Sequence, residues 1–236
     1  MKKLSKTLSA IMAATVIFGT MAMPVSADKL KVTDGITYRY DDDSNLIGEF
    51  SGWAKTDGVS RRYVDGKPYT GWLKNNDGTY KYVLDGYIVK GEMLIKNKVY
   101  NFDENGIMTR WKKADIIAKR DETAGLSPIT VEAQATHLGE FSMGEAEKLE
   151  RWENGEWVDC LGVDEYLVKD VENLLYYTDC EIDVNIMFFE PKEYIGGDIT
   201  AGTYRLTFPA SEHKSNGERN YFYVYCIFNV SGNFDC

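Results

Sequence analysis

Histidine is almost absent from this chain. Its 236 residues include two, His137 and His213. Both stand among polar neighbours and read as loop residues. That scarcity removes the paired histidines of a zinc site and leaves little for histidine-based proton transfer. No nucleophile elbow or phosphate-cradling glycine loop is present. Gly196-Gly197 lacks the strand-to-helix setting of a nucleotide fingerprint. Positive charge is also short: 27 Lys and Arg face 37 Asp and Glu, a formal net charge of −10. Nucleic-acid affinity comes from Lys and Arg neutralising phosphates, so that partner class is disfavoured, and an anionic lipid surface repels the chain. Cysteine is sparse and confined to the last third, at Cys160, Cys180, Cys226 and Cys236. Their spacings match no zinc pattern. Four cysteines allow three pairings, and the pairing stays open. Cys226 alternates with Phe222, Val224 and Phe228, so it points into a core, where a free thiol competes with a disulfide. Asp41-Asp42-Asp43 lacks the alternating ligand spacing and glycine bend of a calcium loop and reads as a solvated turn. Neither a metal nor a cofactor is expected.

One long apolar run is present, at the start. Lys2, Lys3 and Lys6 precede an uncharged stretch from Leu8 to Met23, and Val25-Ser26-Ala27 supplies small residues. Residues 1–27 therefore read as a signal peptide, cleaved before Asp28. Its loss removes three lysines and makes the remainder more acidic, which suits solubility outside the cell. Later apolar runs are too short to span a bilayer, so no membrane insertion is expected after cleavage. The location expected is secreted and cell-wall associated.

Residues 28–112 repeat themselves. Gly52-Trp53, Gly71-Trp72 and Arg110-Trp111 recur, with Gly91-Glu92 in the remaining place, at spacings of 19, 20 and 19 residues. Tyr38-Arg39-Tyr40-Asp41, Arg62-Tyr63-Val64-Asp65-Gly66, Tyr82-Val83-Leu84-Asp85-Gly86 and Tyr100-Asn101-Phe102-Asp103 keep the same period. A fixed short period marks a repeat architecture. Each unit predicts a β-hairpin, closed at Asp57-Gly58, Asp65-Gly66, Asp77-Gly78, Asp85-Gly86 or Asn105-Gly106. A lone hairpin is marginal in water, so the units draw stability from their neighbours.

The Tyr69-Thr70-Gly71-Trp72-Leu73 run followed by Tyr80-Lys81-Tyr82-Val83-Leu84-Asp85-Gly86 resembles the choline-binding or glucan-binding cell-wall repeats of Gram-positive surface proteins. The resemblance implies stacked hairpins whose aromatic side chains form a choline cage or a sugar platform. It implies Trp53, Tyr63, Trp72, Tyr82, Tyr100 and Trp111 as ligand-binding residues, and choline-bearing teichoic acid or glucan as partner. The chain departs from the pattern where family members carry a Trp ahead of the paired Tyr: Thr37, Arg61, Lys81 and Val99 stand there. Glu92 replaces one Gly-Trp tryptophan.

Residues 113–127 read as a linker. Lys112 to Glu122 is charged and fits a short helical turn, and Gly125, Ser127 and Pro128 break regular structure. From 128 to 236 short strands alternate: Ile129, Val131 and Ala133; Ile182, Val184, Ile186 and Phe188; Tyr204, Leu206 and Phe208; Phe222 through Val230. Glu153-Asn154-Gly155-Glu156 marks a hairpin turn. Residues 161–178 fit a helix or an irregular strand crossing. Asp198-Ile199-Thr200-Ala201-Gly202-Thr203-Tyr204-Arg205-Leu206 has the arrangement of a tyrosine corner, whose phenol closes the loop entering the next-to-last strand. With the Trp152–Trp157 hairpin, it resembles bacterial Ig-like domains of secreted Firmicutes proteins. One of these tryptophans is expected in the sandwich core and the other over the hairpin. The expected fold is all-β: a stacked β-hairpin repeat segment plus an immunoglobulin-like antiparallel β-sandwich.

No catalytic residue is expected. The functional expectation is a secreted, non-catalytic surface protein whose repeats bind cell-wall polymer or glucan and display the second domain. One alternative is an adhesion module that binds a surface protein and whose repeats are only a stalk. Another is a small secreted glycan hydrolase, which needs carboxylates held across a cleft or a His–acid pair converging in a pocket.

Overall fold

The computed structural model describes residues 29–56, 58–126, 128–160, 174–177, 184–189, 191 and 199–231. The signal segment, Cys180, Cys236, Gly196-Gly197 and most of 161–178 lie outside the described residues. Strands and turns make up almost all of what is described.

Twelve short strands come first: β1 (Lys29–Thr33), β2 (Ile36–Tyr40), β3 (Leu46–Glu49), β4 (Gly52–Thr56), β5 (Val59–Val64), β6 (Lys67–Pro68), β7 (Gly71–Lys74), β8 (Tyr80–Leu84), β9 (Tyr87–Ile88), β10 (Gly91–Ile95), β11 (Lys98–Phe102) and β12 (Met108–Lys113). They form four three-stranded sheets in chain order. Asp65-Gly66, Asp77-Gly78, Asp85-Gly86 and Asn105-Gly106 lie in the turns between strands as expected, and Asp57 lies outside the described residues. Asp65 and Gly66 have φ of +49° and +71°, and Asp85 and Gly86 have +49° and +85°. Left-handed φ at both central residues is the type I′ geometry that matches strand twist.

Consecutive hairpins are tied by the backbone of these turns. Thr37 N–H donates to Gly66 O at 2.8 Å, and Gly66 N–H donates to Phe50 O at 2.9 Å. One repeat on, Arg62 N–H donates to Gly86 O and Gly86 N–H to Tyr69 O, both at 2.7 Å. The glycine is required for the approach. A Cβ on Gly66 would meet Ile36 Cγ2 at 2.5 Å and Thr37 O at 2.9 Å; on Gly86 it would meet Arg61 Cγ at 2.5 Å and Arg62 O at 2.9 Å. Each sheet also buries a residue on its second strand: Thr37, Arg62, Val83 and Phe102.

Among the described residues nine further strands follow: β13 (Ile116–Arg120), β14 (Ile129–Ala135), β15 (Glu140–Met143), β16 (Lys148–Glu153), β17 (Glu156–Asp159), β18 (Leu174–Tyr177), β19 (Val184–Phe189), β20 (Gly202–His213) and β21 (Arg219–Val230). β13-β14-β19 form one sheet, and β17-β16-β20-β15-β18 with β21 on β20 form the other. β20 organises the larger sheet. Its Tyr204–Thr207 half pairs with β16 and its Ala210–His213 half with β15, while β21 pairs along its full length. Ile116, Ala118, Ile129, Val131 and Phe189 from the small sheet share a core with Phe141, Leu149, Leu206, Phe208 and Val224 from the large one. The result is an antiparallel two-sheet sandwich.

Tyr204 forms the expected corner: buried to 3 % exposure, its hydroxyl donates to Thr200 O at 3.0 Å. Asn154 and Gly155, at φ +52° and +93°, close the expected β16–β17 hairpin. Two local readings are corrected. Ile116–Arg120, inside the stretch read as a linker, is strand β13 with Ile116 and Ala118 in the core, and the helical turn proposed there does not form. Pairing with β14 overrides the local charge pattern. Trp152 is buried, yet away from the main core: it faces Trp157 across the hairpin at 5.0 Å, on the sheet face opposite Leu149.

Two compact units result. One holds the described residues up to Val89 together with Glu104–Met108; the other holds Lys90–Asp103 and the described residues from Thr109 onward. The division falls within the fourth hairpin.

Candidate functional site

The six expected aromatics occupy four small patches rather than one cage. In the first unit, Trp53 stands on β4 opposite Arg62 of β5 and is 44 % exposed, with the Arg62 guanidinium 6.0 Å from its ring. Tyr63, on the other face of β5, packs against Phe50 at 5.9 Å. Trp72 and Tyr82 face one another across β7 and β8, with centroids 5.1 Å apart and planes at 67°. The Tyr69 hydroxyl donates to Trp72 O at 3.0 Å and braces that strand. Burial pushes the Tyr82 phenol above its ordinary pKa. In the second unit, Tyr100 on β11 lies 6.3 Å from Trp111 on β12, and Trp111 is 52 % exposed.

Several rings already carry a cation from the chain itself. The Arg61 guanidinium lies 5.7 Å from the Tyr63 ring and 5.0 Å from the Tyr87 ring. Its Nη2 is 2.8 Å from Asp85 Oδ2, and its Nε donates to Asp85 O at 3.1 Å. Lys98 Nζ sits 3.8 Å from the Trp111 centroid. Lys31 is over Tyr40 and Lys74 over Tyr80. Cation–π attraction is what a choline headgroup would use, and at these rings the chain supplies the cation. The sequence marks Arg61 only as a missing tryptophan. Its partner Asp85 is 24 positions away, in the next hairpin's turn, which the repeat period could have revealed. Tyr69, Tyr87 and Phe50 were likewise missed.

In the sandwich, the outer face of the large sheet carries two polar groupings. Glu150 Oε2 accepts from Arg205 Nε at 2.8 Å and lies 2.7 Å from Arg205 Nη2, both side chains largely buried. The Arg205 guanidinium lies between Trp157 at 4.6 Å and Tyr225 at 5.0 Å. Further along, His213 belongs to a strand, not a loop. Its Nε2 is 2.9 Å from Ser142 Oγ and its Nδ1 is 3.2 Å from Glu140 Oε1. This is the serine–imidazole–carboxylate order of an acyl-transfer triad. Strand register explains it: Glu140 is directly opposite His213, and Ser142 lies two residues on along the same face. Ser142 is 4 % exposed. β15 runs between β18 and β20, so its peptide N–H groups are directed into ladder bonds rather than toward an oxyanion.

Among the described residues, no group of three or more His, Cys, Asp or Glu is placed to hold a metal. Cys160 and Cys226 are free thiols; their possible partners Cys180 and Cys236 lie outside the described residues. Burial pushes the Cys226 thiol up to about 12 and the Cys160 thiol up to about 11.

The sequence matches no protein-family model and no curated protein. Among solved structures, the chain is similar to the modular Cpl-1 endolysin complexed with a peptidoglycan analogue, in wild-type and mutant forms. Identity is 17 %, the TM-score is 0.27, and the match covers 64 % of this chain and 41 % of that one. It is also similar to an alternansucrase in complex with isomaltononaose, at 8 % identity and TM-score 0.17, over 56 % of this chain and 13 % of that one. The chain thus spans less than half the length of these proteins.

Proposed function

We propose that this is a secreted, non-catalytic protein whose hairpin repeats bind a neutral glucan or cell-wall polysaccharide and display an Ig-like sandwich. The observation that carries the reading is the recurrence of aromatic side chains on successive hairpins, with Trp53 and Trp111 about half exposed and Trp72 with Tyr82, and Tyr100 beside Trp111, partly buried. Sugar rings stack on such faces by apolar contact. Neutral polysaccharide is preferred over choline-bearing polymer because Arg61 and Lys98 already lie against Tyr63, Tyr87 and Trp111. A second cation there meets like charge. The net charge of −10 also disfavours a polyanionic chain. Export follows from reading residues 1–27 as a cleaved signal peptide.

The test is retention of the mature protein on purified cell wall, insoluble α-glucan and choline resin. Trp53→Ala with Trp72→Ala should abolish or strongly weaken retention on glucan or wall. Unchanged retention of the variant, or no retention of the native protein, rejects the reading.

Hydrolysis is a second reading with one observation behind it, the Ser142–His213–Glu140 order. Such a group would act on an ester or amide, with His213 taking the Ser142 proton. Against it stand the near-complete burial of Ser142 and the engagement of neighbouring N–H groups in the sheet ladders. Ester hydrolysis by the native protein that disappears in Ser142→Ala would establish this reading. Equal background rates in the two would dismiss it.

A further inference from the structure

The second unit has a cleft of its own, of about 240 Å³, between the β10–β11 hairpin and strand β21. Its lining includes Tyr221, Tyr223 and Tyr225 from β21 together with Glu92, Lys112 and Asp115. β21 is an edge: among the described residues it pairs only with β20. Tyr221 is 73 % exposed and Tyr223 is 53 % exposed. Standing two residues apart, they share a sheet face, roughly 7 Å from each other along the strand. Adjacent exposed apolar side chains, unlike single scattered ones, mark an interaction site.

The polar groups of the cleft decide what that is. The Tyr225 hydroxyl is hydrogen-bonded to the Glu92 carboxylate. Lys112 Nζ lies 3.3 Å from Asp115 Oδ2 and 5.5 Å from the Phe222 ring centroid. The charges are thus partnered locally and keep spare lone pairs and protons for hydroxyls. A cationic ligand would have to displace Lys112 from Asp115 or the Tyr225 hydroxyl from Glu92. An anionic one would meet two carboxylates. What remains is a neutral, hydroxyl-rich molecule with an apolar ring face.

We propose that this cleft is a second carbohydrate subsite, taking a neutral pyranose chain laid across Tyr221 and Tyr223. None of the six hairpin aromatics lines it, and it deepens the glycan-binding reading by giving the sandwich a share in the grip. Glu92 then has a role. Standing where the repeat pattern expects a tryptophan, it orients Tyr225 at the cleft wall instead of adding a stacking face to its hairpin.

The test titrates the full mature chain with a linear glucan heptasaccharide by isothermal calorimetry. Three variants are compared with the native protein: Trp53→Ala/Trp72→Ala/Trp111→Ala, Tyr221→Ala/Tyr223→Ala, and Tyr221→Phe/Tyr223→Phe. The Tyr→Ala pair should weaken one class of site about fivefold to tenfold, and the Tyr→Phe pair, which keeps both ring faces, should restore most of it. Both tyrosines are exposed, so the fold should survive, and an unchanged melting temperature checks that. Affinity unchanged within twofold in Tyr221→Ala/Tyr223→Ala overturns the proposal. If that occurs while the tryptophan variant loses binding, the repeat reading stands alone. If the tryptophan variant binds as tightly as the native protein while the Tyr→Ala pair weakens binding, the subsite stands and the repeat reading falls. No heat of binding in the native protein overturns both. Tyrosine resonances that respond to an extended peptide and not to the glucan also overturn it, marking β21 as a strand-addition edge.

Discussion

Replacing Gly86 by alanine tests how the hairpins hold one another. Gly86 has φ +85°, a conformation that costs an L-residue about 1–2 kcal/mol. The added Cβ would also stand 2.5 Å from Arg61 Cγ and 2.9 Å from Arg62 O. Arg61 cannot easily retreat, because its guanidinium is tied to Asp85 at 2.8 Å. Relief therefore comes from moving the hairpins apart, which lengthens the two 2.7 Å rungs from Arg62 N–H to Gly86 O and from Gly86 N–H to Tyr69 O. At about 1 kcal/mol for each hydrogen bond, the total is roughly 3–4 kcal/mol. Gly78 is the control. It has the same φ of +85° and nothing within 4 Å of its would-be Cβ, so Gly78→Ala carries the backbone term alone. Urea unfolding followed by tryptophan fluorescence should separate the two variants by about 2 kcal/mol, near 1 M in midpoint at an m-value of about 2 kcal/mol/M. Equal midpoints for Gly86→Ala and Gly78→Ala would refute the idea that turn glycines form the contact between repeats.

Tyr204→Phe removes the hydroxyl that donates to Thr200 O and should cost the sandwich about 1 kcal/mol, visible as a lower melting temperature. Glu150→Ala leaves the largely buried Arg205 without its carboxylate and should destabilise by about 3 kcal/mol, more than Glu153→Ala, whose ion pair with Arg151 is more exposed. For Cys226, burial raises the folded-state pKa from 9.0 to about 12. Its stabilising contribution is therefore complete below pH 9 and is lost as pH rises toward 12. Urea midpoints over that range should fall less steeply in Cys226→Val than in the native protein.

What the sequence made legible was local. Asp65-Gly66, Asp85-Gly86 and Asn154-Gly155 announce left-handed turns within two residues, and Tyr204 finds its acceptor four residues upstream. The unread features depend on distant pairing. Ile116 and Ala118 alternate inward, but Lys112, Lys113, Lys119 and Arg120 around them conceal a strand that exists because β14 is there to receive it. His213 and Ser142 are 71 residues apart, and Arg205 and Glu150 are 55 apart. Only strand register joins them. The aromatic positions were legible from the repeat, whereas their grouping into four patches with internal cations was not: Arg61 meets Asp85 and Tyr87 from the following hairpin.

The central claim is that the hairpin aromatics present their faces to a neutral glycan. Co-sedimentation of the mature protein with insoluble α-glucan and with purified cell wall, with and without excess choline, tests it most directly. The account predicts pelleting with at least one polysaccharide and the same bound fraction at every choline concentration. Release by choline, or a protein that stays in the supernatant throughout, would contradict it.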